Sequence, residues 1–121
     1  MKHILGSLLL SGACAAGAAG AQDSVHGKQV YWSCAYCHGI AGRNGPVGPP
    51  LVGVFGRQAG TVPGFPYSDA MKESGLIWDE TALEFFVANP AQMFPGTRMV
   101  FPGLSDPKDA ADLAAYIKKL K

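Results

Sequence analysis

Apolar residues recur at helical spacing in three stretches of the chain, and two long segments punctuated by Gly and Pro lie between them. In the first stretch, Asp23 or Ser24 can cap a helix that begins near Val25, since a short side-chain oxygen accepts from the unpaired N–H groups of a first turn. Gly27, Val30, Tyr31 and Cys34 then repeat at the helical interval. A glycine inside a helix costs about 1 kcal/mol relative to alanine. Gly27 therefore predicts close packing against another helix, with Tyr31, one turn on, in the same contact. The second stretch runs from Glu80 to about Ala88 behind a capping Asp79, with Leu83, Phe86 and Val87 as its apolar stripe, and Asn89-Pro90 ends it. The third starts after Asp106 with Pro107 at its first position. Leu113, Tyr116, Ile117 and Leu120 form its buried stripe, and Lys118, Lys119 and Lys121 suit the negative end of its dipole. No strand pattern of useful length appears, so the fold class is all-α.

The intervening segments are loops by composition. Gly39 to Gly60 contains Gly45-Pro46-Val47-Gly48-Pro49-Pro50, and Asn89 to Gly103 contains Pro95-Gly96 and Pro102-Gly103. Loops this long in a small domain are usually functional or wrapped around something.

What they wrap is suggested by Cys34-Ala35-Tyr36-Cys37-His38, a C-x-x-C-H run, which is the attachment pattern of a c-type haem. On a helix the two thiols share one face and His38 joins them there. That face bonds a haem edge twice through sulfur and offers an imidazole to the iron. The competing readings are half a zinc site or a redox dithiol. A zinc site needs a second ligand pair, but the only other cysteine is Cys14, and no βαβ setting supports a dithiol. Pro49 and Pro50 carry carbonyls that accept but no N–H, and a ligating histidine usually gives its second ring N–H to such an acceptor. Leu51, Val54 and Phe55 are expected wall residues, and Arg57 is either a solvated cation or a partner for buried haem propionates. His26 is read as a surface residue.

A thioether opposite the histidine would stabilise ferrous iron. Met71 precedes a Lys-Glu pair and is read as a packing residue. Met93 and Met99 share one loop. Gly96 favours a tight approach by Met99, but spacing alone leaves both open.

Residues 1–21 read as a secretory signal peptide: Lys2 and His3, an apolar run from Ile4 to Leu10, then small residues ending Ala19-Gly20-Ala21. The apolar part is short of the about 20 strongly apolar residues of a spanning helix. Cleavage after Ala21 would remove Cys14 and leave residues 22–121 as one domain in the periplasm. That size is marginal without a prosthetic centre to pack around. Of the 10 Lys and Arg only Lys2 lies in the leader, so the mature chain carries 9 against 9 Asp and Glu. A near-neutral domain gives no footprint for nucleic acid or an anionic membrane.

From the C-x-x-C-H run to its end the chain resembles class I cytochromes c, the group of mitochondrial cytochrome c and its exported bacterial relatives. The likeness is carried by Gly48-Pro49-Pro50-Leu51-Val52-Gly53-Val54-Phe55-Gly56-Arg57, Pro63 to Ala70, Gly75-Leu76-Ile77-Trp78, and Asn89-Pro90 through Pro95-Gly96-Thr97-Arg98-Met99-Val100-Phe101. It implies the small class I cytochrome c fold around one covalently bound haem c. By the resemblance, Cys34 and Cys37 attach the haem and His38 and Met99 are the axial ligands. Pro49 accepts from His38, and Arg57, Tyr67 and Trp78 gather around the propionates. Ser68 and Thr97 are hydroxyls at haem-contact positions, and Gly27 and Tyr31 form the contact of first and last helices.

There are departures. Phe86 stands where mitochondrial members have a buried Tyr, and Met71 where they have a buried Asn, so a drier pocket is expected. The loop between His38 and Gly48 is about one residue shorter. Ala91 and Gln92 replace a pair of lysines and Ser105 and Asp106 follow the methionine loop, while Arg98 remains. The usual basic docking face is depleted.

The expected function is a soluble, monomeric one-electron carrier, not an enzyme. Its partners would be membrane or periplasmic redox proteins: a quinol-oxidising cytochrome complex, a terminal oxidase, a reaction centre or a dehydrogenase. Alternatives are a dedicated cytochrome subunit of a dehydrogenase or oxidase complex, and a haem enzyme or ligand sensor, which would need an open axial site and polar groups beside it.

Overall fold

A computed structural model describes residues 12, 21–40, 45 and 47–121. The leader's sequence signals therefore lie almost wholly outside the described residues. Among the described residues five helices follow in order: α1 (Ser24–His38), α2 (Asp69–Glu73), α3 (Glu80–Ala88), α4 (Pro90–Met93) and α5 (Pro107–Lys118). The three long helices are those the periodicity predicts.

Each is started by the expected carboxylate. Asp23 accepts from the Val25 and His26 amides, Asp79 from Ala82, and Asp106 from Lys108. The two short helices carry no periodic signal. They are set by local capping: the Ser68 hydroxyl accepts from Met71 N–H at 3.3 Å, and the Asn89 side chain from Gln92 N–H at 3.2 Å.

Helix α5 packs on both α1 and α3. At the α1–α5 crossing a Cβ on Gly27 would run into the Asp112 backbone carbonyl and the Tyr116 Cβ, so only glycine allows this approach. Tyr31 and Tyr116 meet there with tilted rings, 5.2 Å between centroids. The centre of α5 is filled by Ala110, Leu113, Ala114 and Ile117. Tyr116 and Leu120, expected in the buried stripe, are only half-buried. The small Ala110 and Ala114 let the helices close up and push the larger side chains to the rim.

Asp112 is the buried carboxylate of this contact, 1% exposed. It accepts from Asp23 N–H, from His26 Nδ1 at 2.8 Å, and from Lys108 Nζ at 2.8 Å. These donors hold its pKa down to about 2 against the cost of burial. His26 is thus a tether between the two terminal helices rather than a free surface residue, with Asp109 3.6 Å from its other nitrogen.

The remaining core joins Val54, Ala59, Tyr67, Met71, Trp78, Leu83, Phe86, Val87 and Phe94. Among the described residues the only β-pairing is an isolated bridge between Gln58 and Ile77. No described helix is long and apolar enough to cross a membrane.

Candidate functional site: a haem attachment helix and its loops

Cys34, Cys37 and His38 occupy the last turn and a half of α1. Both thiols are half-buried and neither is in a disulfide. Burial raises the pKa of Cys34, helped by its neighbour Cys37 and opposed by a hydrogen bond from Ser33. Just past the helix, Gly39 takes a positive φ and donates to the Ala35 carbonyl, and the Tyr31 hydroxyl donates to the Gly39 carbonyl at 2.8 Å.

The loop then returns to the helix it left. Gly48 N–H donates to the Cys37 carbonyl at 2.8 Å, which brings the two prolines under the imidazole. His38 Nδ1 lies 2.8 Å from the Pro49 carbonyl. That oxygen only accepts, so Nδ1 carries the hydrogen and Nε2 keeps its lone pair. A Cβ on Gly48 would sit 2.7 Å from ring atoms Nδ1 and Cε1. The ring is thus held by a carbonyl and by the lack of a side chain. Burial lowers the His38 pKa, and the Pro49 bond offsets part of that. The imidazole is kept neutral, the form that binds a metal.

The next proline anchors a cation. Arg57 Nη2 donates to the Pro50 carbonyl at 3.1 Å. Arg57 is joined through its backbone to Trp78: Trp78 N–H donates to the Arg57 carbonyl at 2.9 Å and Gly56 N–H to the Trp78 carbonyl at 2.7 Å. Its charge also reaches Tyr67, whose pKa is raised by burial and lowered by a bond from Val62 N–H and by Arg57. The structure therefore brings Arg57, Tyr67 and Trp78 into one neighbourhood beside the Pro49–Pro50 turn.

Trp78 also belongs to an aromatic cluster. Its ring centroid is 5.2 Å from Phe86 and 6.3 Å from Phe94, and those two are 5.8 Å apart. Met71 is buried in the same core, as its packing role predicts. Met93 sits in α4 and Met99 in the loop beyond it, both half-buried against the core. Met99 N–H donates to the Thr97 hydroxyl at 3.3 Å, and Thr97 N–H to the Phe94 carbonyl at 2.9 Å. The hydroxyls of Ser68 and Thr97, expected at haem contacts, are thus engaged with backbone N–H groups of their own turns.

The donors the structure brings together are two free thiols and an oriented imidazole on one helix; Met93 and Met99 pack against the core elsewhere, with no recorded contact to His38. This chemistry fits a covalently attached haem and does not fit a zinc ion. Among the described residues no group of three or more His, Cys, Asp or Glu could hold a metal ion by itself.

Residues 24–121 match the family model for cytochrome c. The chain belongs to the cytochrome c family. Cytochrome c2 of Blastochloris viridis is 43% identical over 119 residues, which cover 98% of this chain and 92% of that protein. Cytochrome c of Sesamum indicum is 49% identical over 95 residues, 77% of this chain and 86% of that one. Among solved structures, cytochrome cH from Methylobacterium extorquens superposes with a TM-score of 0.73 at 46% identity. It covers 79% of this chain and 97% of its own. The class I cytochrome c fold follows, with one covalently attached haem c, its iron, and electron transfer rather than catalysis as the function.

Two details of the site are not legible in the sequence, where Pro50 stands beside Pro49 as an acceptor for the histidine and not for Arg57. Gly48 was visible only as part of a Gly-Pro-Pro run, with nothing to say that its missing side chain makes room for the ring. The Pro50 carbonyl could not be paired with Arg57 before the loop's path was known.

Proposed function

We propose that this cytochrome is a soluble periplasmic one-electron carrier, with Cys34 and Cys37 bonded to the haem and His38 and Met99 as axial ligands to its iron. The observation that carries the ligation is the imidazole of His38, neutral and fixed by Pro49, on the same helix turn as the two free thiols. Residues 1–21 serve as the export signal and are removed after Ala21, leaving residues 22–121 as the carrier domain.

The haem supplies the iron that gains or loses one electron. The chain's residues set the conditions. Pro49 holds the His38 tautomer and raises the basicity of Nε2. The Phe86, Phe94 and Met71 side chains exclude water from their part of the core. Little polar reorganisation is then available there when charge changes. Arg57, oriented by Pro50, together with the Tyr67 hydroxyl and the Trp78 indole, would pair with the propionates. A loop thioether at Met99 favours ferrous iron and raises the potential. Redox partners need only brief docking, which suits a small interface.

The test is a potentiometric titration of protein isolated from the periplasm, together with its intact mass. The expected result is a single reversible one-electron wave and a mass equal to residues 22–121 plus one haem. A retained leader would overturn cleavage after Ala21, and the absence of a reversible wave would overturn the carrier.

A further inference from the structure

At the end of helix α5 two lysines reach across to other elements. Lys118 Nζ donates to Glu80 Oε1 at 3.1 Å, at the start of α3. Lys119 Nζ donates to the Ser24 hydroxyl at 2.7 Å, at the start of α1. With Gln22 and Lys121 these residues line a solvent-open cavity of about 420 Å³ between the three helix ends. None of the haem-site residues lines it. Liquid water takes about 30 Å³ per molecule, so the space holds roughly fourteen waters.

The charges around the cavity do not balance. Glu80 is the one carboxylate among the described lining residues, against three ammonium groups. Its Oε1 is taken by Lys118, and its Oε2 lies 3.4 Å from the Gln22 amide nitrogen. Among the described residues neither Lys119 nor Lys121 pairs with a carboxylate. Lys119 is held by a neutral hydroxyl, and Lys121 is exposed at the rim. The Val25 and His26 amides of the first turn of α1 are already taken by Asp23. The pull on an anion therefore comes from the ammonium groups and not from the helix end.

We propose that this cavity binds an inorganic phosphate chain, diphosphate or longer, through Lys119, Lys121 and the Ser24 hydroxyl. Ser24 accepts from Lys119 and still has its own proton to give to a phosphate oxygen. Among the described lining residues there is no Arg and no aromatic ring. Arg forks match planar carboxylates, whereas ammonium groups on flexible stems act as point charges and suit tetrahedral oxyanions. Without a ring there is no platform on which a nucleobase could stack. Ala115 and the lysine stems are the apolar part of the lining, too little to seat an acyl chain. Two uncompensated cations at separate positions favour a chain of phosphates over a single one.

Occupancy would tie three helix ends together behind the haem loop. The Leu120 carbonyl accepts from Gly53 N–H at 2.9 Å, and Lys118 Nζ lies 5.1 Å from the centre of the Phe55 ring. Both contacts reach the segment between Pro50 and Arg57. A ligand that binds the folded chain alone stabilises it.

The test titrates holoprotein with sodium diphosphate by calorimetry at low, fixed ionic strength. Wild type is compared with K119Q/K121Q and with K28Q/K72Q, which removes two exposed lysines elsewhere. Wild type is expected to bind one diphosphate, K119Q/K121Q to lose about tenfold or more in affinity, and K28Q/K72Q to stay within about twofold. K121Q alone breaks no hydrogen bond of the fold and is expected to lose about threefold. Diphosphate should raise the urea midpoint of wild type and not of K119Q/K121Q. Absence of saturable binding in wild type overturns the proposal, and so do equal losses in the two double variants, which would reduce it to net charge. Adenosine diphosphate binding more tightly than diphosphate would contradict the inorganic chain. Capture by phosphatidylglycerol vesicles, lost in K119Q/K121Q and without diphosphate binding, would overturn it in favour of a membrane surface.

Discussion

His38 and Pro49 meet at 2.8 Å, ring Nδ1 to main-chain carbonyl, across a loop that leaves helix α1 and comes back to it. The contact depends on a third residue that contributes nothing but space. Gly48 passes so close to the ring that an added Cβ would lie 2.7 Å from Nδ1 and Cε1. Gly48→Ala is therefore expected to tilt the imidazole or push the proline turn away. The cost is about 1–3 kcal/mol of stability, typical of overpacking. Denaturant unfolding of the holoprotein checks the loss, and a changed axial-ligand signature in the spectrum checks its cause.

At the other end of α1, Gly27 meets backbone rather than a movable side chain. Gly27→Ala gains about 1 kcal/mol of helix propensity. The enforced separation of α1 and α5 outweighs that gain, and a net loss of about 2 kcal/mol is expected. A midpoint equal to or above wild type in guanidinium would contradict the packing described.

The buried Asp112 makes the same junction sensitive to acid. Its folded-state pKa is lowered from 3.8 to about 2 by Lys108, the Asp23 amide and His26. A depressed carboxylate pKa contributes stability above the unfolded value, and this is lost as pH falls from that value through the folded one. Between pH 5 and 2 wild type should lose stability more steeply than Asp112→Asn. Lys108 has a raised pKa from the same bond. Its share is complete below its ordinary value of 10.5 and fades only at more alkaline pH. Thermal melts of both proteins across this range measure the difference.

Replacing the proposed sixth ligand gives a direct electronic prediction. Met99→Ala should lower the reduction potential and create a site that binds carbon monoxide, whereas Met93→Ala should leave both unchanged. Met93 and Met99 are both half-buried, so the pair of variants separates them where burial class does not. An unchanged potential in Met99→Ala would remove Met99 from its role.

Much of this was legible beforehand because its causes are local. The carboxylates Asp23, Asp79 and Asp106 cap helices within three residues of themselves, and the apolar stripes repeat along one chain segment. The C-x-x-C-H run places its thiols and imidazole together by helix geometry alone. What escaped depends on distant partners. Asp112 finds His26 and Asp23 across 86 and 89 positions. Its local partner, Lys108 at i−4, is readable from helical spacing, but the Asp23 and His26 donors that complete it are not. Arg57 and Trp78 are grouped in the sequence only through the family resemblance, since the backbone bond that joins them carries no side-chain signal. Helices α2 and α4 are too short for periodicity, and only their capping residues Ser68 and Asn89 betray them.

The central claim is that His38 and Met99 close both axial positions of the haem. The visible spectrum of the reduced holoprotein, recorded with and without carbon monoxide, tests it most directly. A reduced c-type spectrum that the gas leaves unchanged is predicted. A spectrum that shifts on adding the gas would reveal an open or weak sixth position and contradict the assignment of this protein as a His38/Met99 carrier.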